Sequence, residues 1–427
     1  MNSRFGRPII TLLVVLSGLL FLSSGLYGMT GVVYIDQNEN LQYDEGDLPF
    51  AGAVVSDGFT VTVTDEHGVF TLTLNSDAKF VFLSTPNATK PLAGWYKSVS
   101  EKAFDFPLTR VIDKSPLVFV QLSDTHYATD PDEFKEAFYD RRMKVLPETV
   151  FDEIVPEVND LDPDFVILTG DIVADSKRPD IVLVDKWMNY MGTEFAPRFS
   201  APFYAIVGNH DVVRDEAVDK AIYERYFGPT YYSFNVKGVH FIVLDTQQLV
   251  GTSLVYTVTP TQLSWLEQDL AATDPGAPVV VFCHEPSPDW AETPVNKALL
   301  HLLSETGITA LLDGHWHTNF LLQRYPFYEL TSGAVCASWW EGEGPDGTEF
   351  GYRVYRIVRG TLDSIWRDAG LNSVEFHSPQ RAVIQWTERL QAAVWGDAAR
   401  ASLSIDDAEA IERPVFYNSL WTTAYGN

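Results

Sequence analysis

Cysteine is nearly absent from this sequence: Cys283 and Cys336 are the only two among 427 residues. A scaffold stapled by several disulfides is therefore excluded. Two readings stand for the pair, one bridge or two buried free thiols, because both lie in apolar, strand-like contexts. Positive charge is also scarce. The chain carries 30 Lys and Arg against 58 Asp and Glu, a formal net charge of −28. Such a surface repels nucleic acid and anionic membranes, so a nucleic-acid scaffold is not expected. The charge itself reads as a solubility device. After residue 22 no apolar run is long enough to span a membrane. Internal repeats and low-complexity tracts are lacking too.

What is present begins with an export signature over residues 1–25. Arg4 and Arg7 supply a positive start, Ile9 to Leu22 an apolar run, and Ser23, Ser24 and Gly25 small residues suited to cleavage. A cleaved signal peptide is the preferred reading and an uncleaved anchor the alternative. No cysteine adjoins the run, so a lipid-modified amino terminus is not expected. The protein is expected to be exported: periplasmic, secreted or at the cell surface.

Residues 29–108 show short β-runs broken by turn residues. Gly31 to Ile35, Thr60 to Val63, Val69 to Leu74 and Lys79 to Leu83 are examples, and the pattern predicts a small β-sandwich domain. Inside it, Asp36 to Asp47 places oxygen side chains at positions 1, 3, 5, 9 and 12 of a twelve-residue loop, as a calcium site does. Leu41 stands where such a loop needs glycine, and no helix pattern flanks it. A polar hairpin loop is the preferred reading; calcium is the alternative.

Over 113–351 the texture changes to strands alternating with helices, an α/β architecture. Six buried-type strands are predicted near 117–122, 165–168, 203–207, 240–244, 279–282 and 308–312, with helices near 184–191, 217–227, 261–272 and 295–305. After residue 352 strand texture returns (353–358, 382–386, 390–395, 401–405), which predicts a second small β-rich domain over 352–427.

The chemistry sits where the strands end. The first ends in Asp124-Thr125-His126, the second in Gly170-Asp171 and the third in Gly208-Asn209-His210-Asp211. The fifth ends in Cys283-His284-Glu285 and the sixth in Gly314-His315-Trp316-His317. Ligands of open α/β sheets bind at the carboxyl ends of strands. Residues at i and i+2 in extended chain project to one side, so Asp124 and His126, or His315 and His317, can share a site. Five of six strands thus deliver a metal-binding side chain to one edge. Nitrogen and oxygen donors without sulfur suit Mn, Fe or Zn. Gly208 is read as the residue that lets the chain turn sharply there.

These motifs, in this order, resemble the calcineurin-like metallophosphoesterase family over about 115–352. The flanking β-regions, on weaker texture, resemble those of exported bacterial members. The resemblance implies a two-sheet α/β/β/α sandwich core with two smaller β-rich domains beside it. It implies two metal ions: one held by Asp124, His126, Asp171 and His317, the other by Asp171, Asn209, His284 and His315, with Asp171 shared. His210 would face the substrate as the catalytic residue, stabilising the transition state or protonating the leaving oxygen. The implied reaction is hydrolysis of a small phosphomonoester or phosphodiester by in-line attack of a hydroxide between the ions. A cyclic-nucleotide-type phosphodiesterase is the alternative within enzymes, and a cell-surface binding protein with a relic metal site the alternative outside them.

Two departures narrow the class. Purple acid phosphatases carry a tyrosine three residues after the Gly-Asp aspartate, where this chain has Ala174. Protein serine/threonine phosphatases continue with Asp-Arg-Gly, where this chain runs Ile172-Val173-Ala174-Asp175-Ser176. Other residues carry paired readings. The segment 127–164, with Phe134, Phe138, Tyr139, Arg141 and Arg142, is a surface helix or a cover over the site. Trp339-Trp340 packs against the last domain or stacks on a substrate ring. Glu285 and Asp211 orient ligands from behind or face solvent. His240 and His301 have no motif partner and are read as structural.

Overall fold

The computed structural model describes residues 28–112, 116–137, 141–175 and 180–370, together with a two-residue antiparallel pair, Arg400–Ala401 with Arg413–Pro414. The export signature, Phe138, Tyr139 and most of the strands expected after residue 370 lie outside the described residues.

Residues 28–110 form two packed sheets. One joins Leu48–Pro49, Gly28–Ile35, Phe106–Arg110 and Thr89–Pro91, with Val69–Thr73 also paired to Gly28–Ile35. The other orders Val61–Val63, Val54–Ser56, Phe80–Ser84 and Tyr96–Ser98. Alternation sets the inner face: in Val69–Thr73, Phe70 and Leu72 are buried while Thr71 and Thr73 are exposed. With Val33, Val55, Val81, Leu83, Phe106 and Leu108 they fill the core between the sheets. The 36–47 loop is closed by its own hydrogen bonds. Asp36 accepts from the backbone of Asn40 and Leu41, Asp44 from the side chains of Asn38 and Asn40, and Asp47 from the backbone of Gln37 and Asp44. The structure gives it the form of a hydrogen-bonded polar loop between two strands, without flanking helices.

The central region contains two larger sheets. The first runs Phe203–Ile206, Phe165–Thr169, Leu117–Leu122, Gly351–Val358, Thr361–Asp368. Its first three strands are parallel and the last two antiparallel. The second runs Tyr232–Val236, Val239–Val243, Val279–Phe282, Ala310–Asp313, Tyr328–Thr331, Phe320–Leu322. Parallel strands buried on both faces need apolar residues at every position, and the period of two sorts them. Phe119, Phe165, Ile167, Tyr204 and Ile206 point between the sheets. Val120, Leu122, Val166, Leu168 and Ala205 point outward, to helices Pro147–Asp160 and Ile181–Tyr190. Between the sheets the Phe119 ring stacks on Phe165 and Tyr355 at 4.8 and 4.7 Å and meets Phe241 edge-on at 5.5 Å.

Helices Pro260–Ala272 and Pro294–Thr306 bury Trp265, Leu266, Leu299 and Leu303 with the second sheet's core. Each starts at a Thr-Pro step. Thr259 and Thr293 accept from the backbone N–H three residues on, and proline at the next position has no N–H to strand. The result is a sandwich of two sheets with helices outside, the architecture expected.

One boundary is corrected. The expected break at residue 352 falls inside the core: Gly351–Val358 pairs along Leu117–Leu122, from Leu117↔Ile357 to Gln121↔Arg353. Residues 351–368 complete the first sheet and do not open a new domain. Of the segment 127–164, residues 127–137 and 141–164 are described. Its main helix, Pro147–Asp160, buries Val150, Phe151, Ile154 and Val158 and so packs on the sheet rather than covering the site.

Candidate metal centre

The parallel strands of both sheets deliver their carboxyl ends to one edge, and seven side chains converge there. Asp171 is central. Its Oδ1 lies 3.2 Å from His284 Nε2 and its Oδ2 lies 3.5 Å from His126 Nε2. Around the Oδ2 side, His126 Nε2 is 3.0 Å from His317 Nε2, and Asp124 Oδ1 lies 3.4 Å from His317 Nε2 and 3.9 Å from His126 Nε2. Around the Oδ1 side, Asn209 Oδ1 is 3.3 Å from His284 Nε2, and donor atoms of Asp171, His284 and His315 lie within 4.8 Å of one another. The structure therefore brings all seven candidate ligands together, in two groups that share one carboxylate.

The donors are oriented from behind. The Nδ1 of His284 lies 2.7 Å from the Thr169 carbonyl, and that of His317 lies 2.9 Å from the Ala337 carbonyl. A carbonyl only accepts, so each Nδ1 carries the proton, and in the neutral ring Nε2 presents a lone pair to the centre. Asp124 Oδ1 and His315 Nδ1 are buried and have no hydrogen-bond partner among the described residues. Burying such atoms unsatisfied costs about 1–3 kcal/mol each. Two carboxylates, four imidazoles and an amide, with unsatisfied lone pairs turned inward, are a donor set that fits divalent cations.

Titration follows the same geometry. Burial opposes the charge of Asp124, but His317 outweighs it and holds the carboxyl at about 2. Burial likewise opposes Asp171, and His284, His210 and His126 hold it well below the usual range. Burial, reinforced by neighbouring positive charge, pushes His126 well down and His315 to about 3. His284 is buried yet raised well above 6.5 by Asp171 and Glu285, and His317 by Cys336 and Asp124. Without cations these two rings are the proton-bearing counter-charges of the carboxylates.

His210 enters through its backbone: its N–H donates to Asp171 Oδ1 at 2.7 Å. Its ring stands edge-on to His126, with centroids 4.7 Å apart. Nδ1 is 2.7 Å from the Ala174 carbonyl and 3.8 Å from Asp175 Oδ1. Asp211 and Glu285, for which solvent exposure was one reading, are both fully buried. Asp211 ties two strand ends together, accepting from Ile172 N and Val173 N through Oδ1 and from Gly208 N through Oδ2. Burial, then the charge of Asp171, raises it to about 8. Glu285 accepts from Thr246 Oγ1 and Gln247 Nε2.

Gly208 needs a different account from the one its sequence suggested. It is not among the residues with positive φ. Its missing side chain is what matters. A Cβ there would stand 2.9 Å from the Gly170 carbonyl carbon and closer still to Asp171 N and Oδ1. Left-handed conformations fall on five of the site residues themselves. Asp124, His126, Asp171, His315 and His317 have φ of 53, 38, 50, 68 and 53°. Non-glycine residues there carry about 1–3 kcal/mol of strain each, and such strain clusters at functional sites.

Cys283 and Cys336 are free and buried, so no bridge joins them. Cys336 Sγ lies 3.7 Å from His317 Nδ1, which puts a thiol beside a nitrogen-oxygen site. Trp340 is buried, donating to the carbonyls of Thr125 and His126. Trp339 lies over the histidines, 4.1 Å from His126 and 4.7 Å from His317, with Arg141 stacked 4.6 Å above it. His240 is a structural histidine between Asn235 and Asp269. Sequence reasoning missed Asp289, which accepts from Trp316 Nε1 at 2.6 Å and lies 3.8 Å from His315 Nε2. It also missed Tyr256, edge-on to His315.

Residues 117–319 match the Calcineurin-like phosphoesterase family profile, and 37–111 match the N-terminal domain that accompanies it. The chain belongs to the calcineurin-like phosphoesterase family. A cAMP/cGMP dual specificity phosphodiesterase of Mycobacterium tuberculosis is 27% identical over 217 residues, 47% of this chain and 61% of its own length. The serine/threonine-protein phosphatase CPPED1 of Bos taurus is 30% identical over 190 residues, 39% of this chain and 58% of its own. The match thus spans about three fifths of each of these relatives. A solved dimetal phosphatase from Danio rerio aligns with 60% of this chain and 99% of its own at 16% identity, with a TM-score of 0.39.

Proposed function

We propose that this member of the family is a binuclear metal-dependent phosphoesterase acting on small phosphomonoesters or phosphodiesters. The observation that carries the reading is the shared carboxylate, with one oxygen of Asp171 turned to each ligand group. Asp124, His126, Asp171 and His317 would hold one ion, and Asp171, Asn209, His284 and His315 the other. When bound, such ions supply Lewis acidity that activates water and offsets the negative charge of the ester.

The chain's own residues do the rest. Backbone carbonyls fix the imidazoles, so no reorganisation is needed during reaction. His210 holds a proton on Nδ1 against the Ala174 carbonyl, with the Asp175 carboxylate 3.8 Å from the same nitrogen. That ring is the proton donor to the leaving oxygen. A cyclic-nucleotide diester is the second reading. It is favoured by the mycobacterial relative and by the Trp339 indole, a flat surface beside the histidines.

The test is turnover of p-nitrophenyl phosphate and bis(p-nitrophenyl) phosphate by the Mn-reconstituted chain. His210→Ala should keep two Mn per chain and lose about 10²- to 10⁴-fold in kcat. Wild-type turnover in that variant sinks the role of His210. Fewer than two metals per wild-type chain sinks the binuclear reading.

A further inference from the structure

Four residues past His210 the chain places Arg214, whose surroundings differ from those of the ion-paired cations of the fold. Lys220 pairs with Asp245 at 2.6 Å, Lys237 with Asp164 at 2.7 Å and Arg225 with Asp185 at 2.5 Å. Arg214 has no such pairing: its Nη1 is buried without a hydrogen-bond partner, and no ion pair is formed to it among the described residues. In a chain with 58 acidic against 30 basic residues, carboxylate partners are plentiful. A buried donor left empty among them costs stability and asks for an occupant.

The surroundings say what that occupant is. Burial lowers the pKa of the Arg214 guanidinium, and Tyr256 with the acidic groups of Asp175, Asp171 and Glu285 opposes that, so these groups stand around it. Tyr256 stands edge-on to His315, ring centroids 5.7 Å apart, and Asp175 adjoins His210. Arg214 is therefore beside the part of the site built from Asp171, His210 and His315. A guanidinium stays protonated and has no lone pair, so it cannot join the metal ligands. Its planar set of donors matches an oxyanion. The loop that carries it is anchored just before it. Val212 and Val213 are buried in the core, and Val213 N donates to the Asp219 carbonyl.

We propose that Arg214 is a substrate-binding residue whose guanidinium takes a non-bridging phosphate oxygen of the ester, beside the Tyr256 phenol. This rests on the phosphoesterase reading above and assigns to it a residue outside the metal ligands and His210.

The test uses the full Mn-loaded chain. Orthophosphate binding is measured by titration calorimetry, p-nitrophenyl phosphate hydrolysis by steady-state kinetics, and folding by thermal denaturation. Arg214→Met should raise the phosphate Kd and the KM together by about ten- to a hundred-fold, the weight of a hydrogen bond to a charged group. It should leave kcat within a few-fold, retain two Mn, and not lower Tm, because a buried donor without a partner, Nη1, is removed. Arg214→Lys should recover part of the binding, keeping the charge but losing the planar donor set. Wild-type phosphate Kd and KM in Arg214→Met overturn the proposal while the phosphoesterase reading stands. Loss of metal with a lowered Tm in both variants makes Arg214 structural and overturns it as well. A wild-type chain that neither binds phosphate nor hydrolyses the ester overturns both readings.

Discussion

Gly208→Ala is a single methyl group placed where the site has no room. The backbone at Gly208 lies outside the left-handed region, so alanine meets no conformational penalty, and the effect isolates sterics. The new Cβ would sit 2.9 Å from the Gly170 carbonyl carbon, with Asp171 N and Oδ1 nearer still. Ordinary contact begins near 3.4 Å. The deficit is therefore at least 0.5 Å against Gly170 and larger against Asp171. Two backbone segments are involved, and neither can swing aside as a long side chain does. Overpacking of this kind costs about 1–3 kcal/mol, and in a chain of this size each kcal/mol lowers Tm by only about 1–2 °C. The functional cost should exceed the stability cost. Asp171 is the carboxylate whose oxygens lie 3.2 Å from His284 and 3.5 Å from His126, so displacing it disturbs both ligand groups together. A misplacement of about 1 Å costs on the order of 10²-fold in rate. The assay pairs metal content after Mn reconstitution with kcat/KM on p-nitrophenyl phosphate. The expected result is loss of at least one metal and about 10²-fold or more in kcat/KM, with the fold retained. Two metals and unchanged kcat/KM in Gly208→Ala would show that the close approach is not what holds Asp171 in place.

Metal binding should release protons. His284 and His317 have pKa values raised above 6.5, so their protonation stabilises the metal-free fold fully below pH 6.5, and that contribution is lost as pH rises through the higher folded values. Cations compete with those protons, so the Mn-induced rise in Tm should grow from pH 6 to pH 8 while metal-free Tm falls; a Tm gain independent of pH refutes this. Asp211→Asn should keep the two bonds from Ile172 and Val173 but set an amide NH₂ against Gly208 N–H, now 2.7 Å from the carboxylate. A loss of about 1–3 kcal/mol in chemical denaturation is expected, and wild-type stability with wild-type metal content would refute the tie it is assigned.

The strand ends were legible because their chemistry is carried by residue type in order: Asp124 and His126, Asp171, Asn209 and His210, His284, His315 and His317. So was the alternation that places Phe119 and Phe165 between the sheets, since period two is a property of sequence. What could not be read there belongs to the backbone or to distant pairing. The carbonyls of Thr169, Ala174 and Ala337 fix three imidazoles, and a carbonyl has no residue type. The pair 351–358 and 361–368 has ordinary strand texture, and nothing local says whether it completes an older sheet or starts another. Gly208 was recognised as special for the wrong reason, because a close approach shows only when Asp171 is folded against it. Arg214 follows His210 by four residues and could have been singled out, but its lack of a partner is a fact of packing.

The left-handed backbone at five site residues explains why so many ligands come from strand ends and none from strand interiors. Within a strand, ladder pairing commits the backbone groups and holds φ near the extended value. Two to four residues beyond, the chain can take φ near 50° and turn its side chain back over the sheet edge. That conformation is unfavourable alone, and it persists here because neighbouring bonds leave no alternative. Asp124 N donates to the Gly170 carbonyl, His126 N to the Asp171 carbonyl, and Ser123 Oγ to Asp124 Oδ2. Asp124 and His126 are thus held by the strand end beside them, which is itself strained at Asp171. Asp124, Asp171 and their histidines also bring like charges together that would separate if free to move. The sandwich supplies the stability that both costs draw on: rings such as Phe119, packed between the sheets at 4.7–5.5 Å, are worth about 3–5 kcal/mol each when removed. The aromatic core and the strained edge are therefore one design. A rigid interior fixes where each strand stops, and so fixes the donors about a centre that cations can fill.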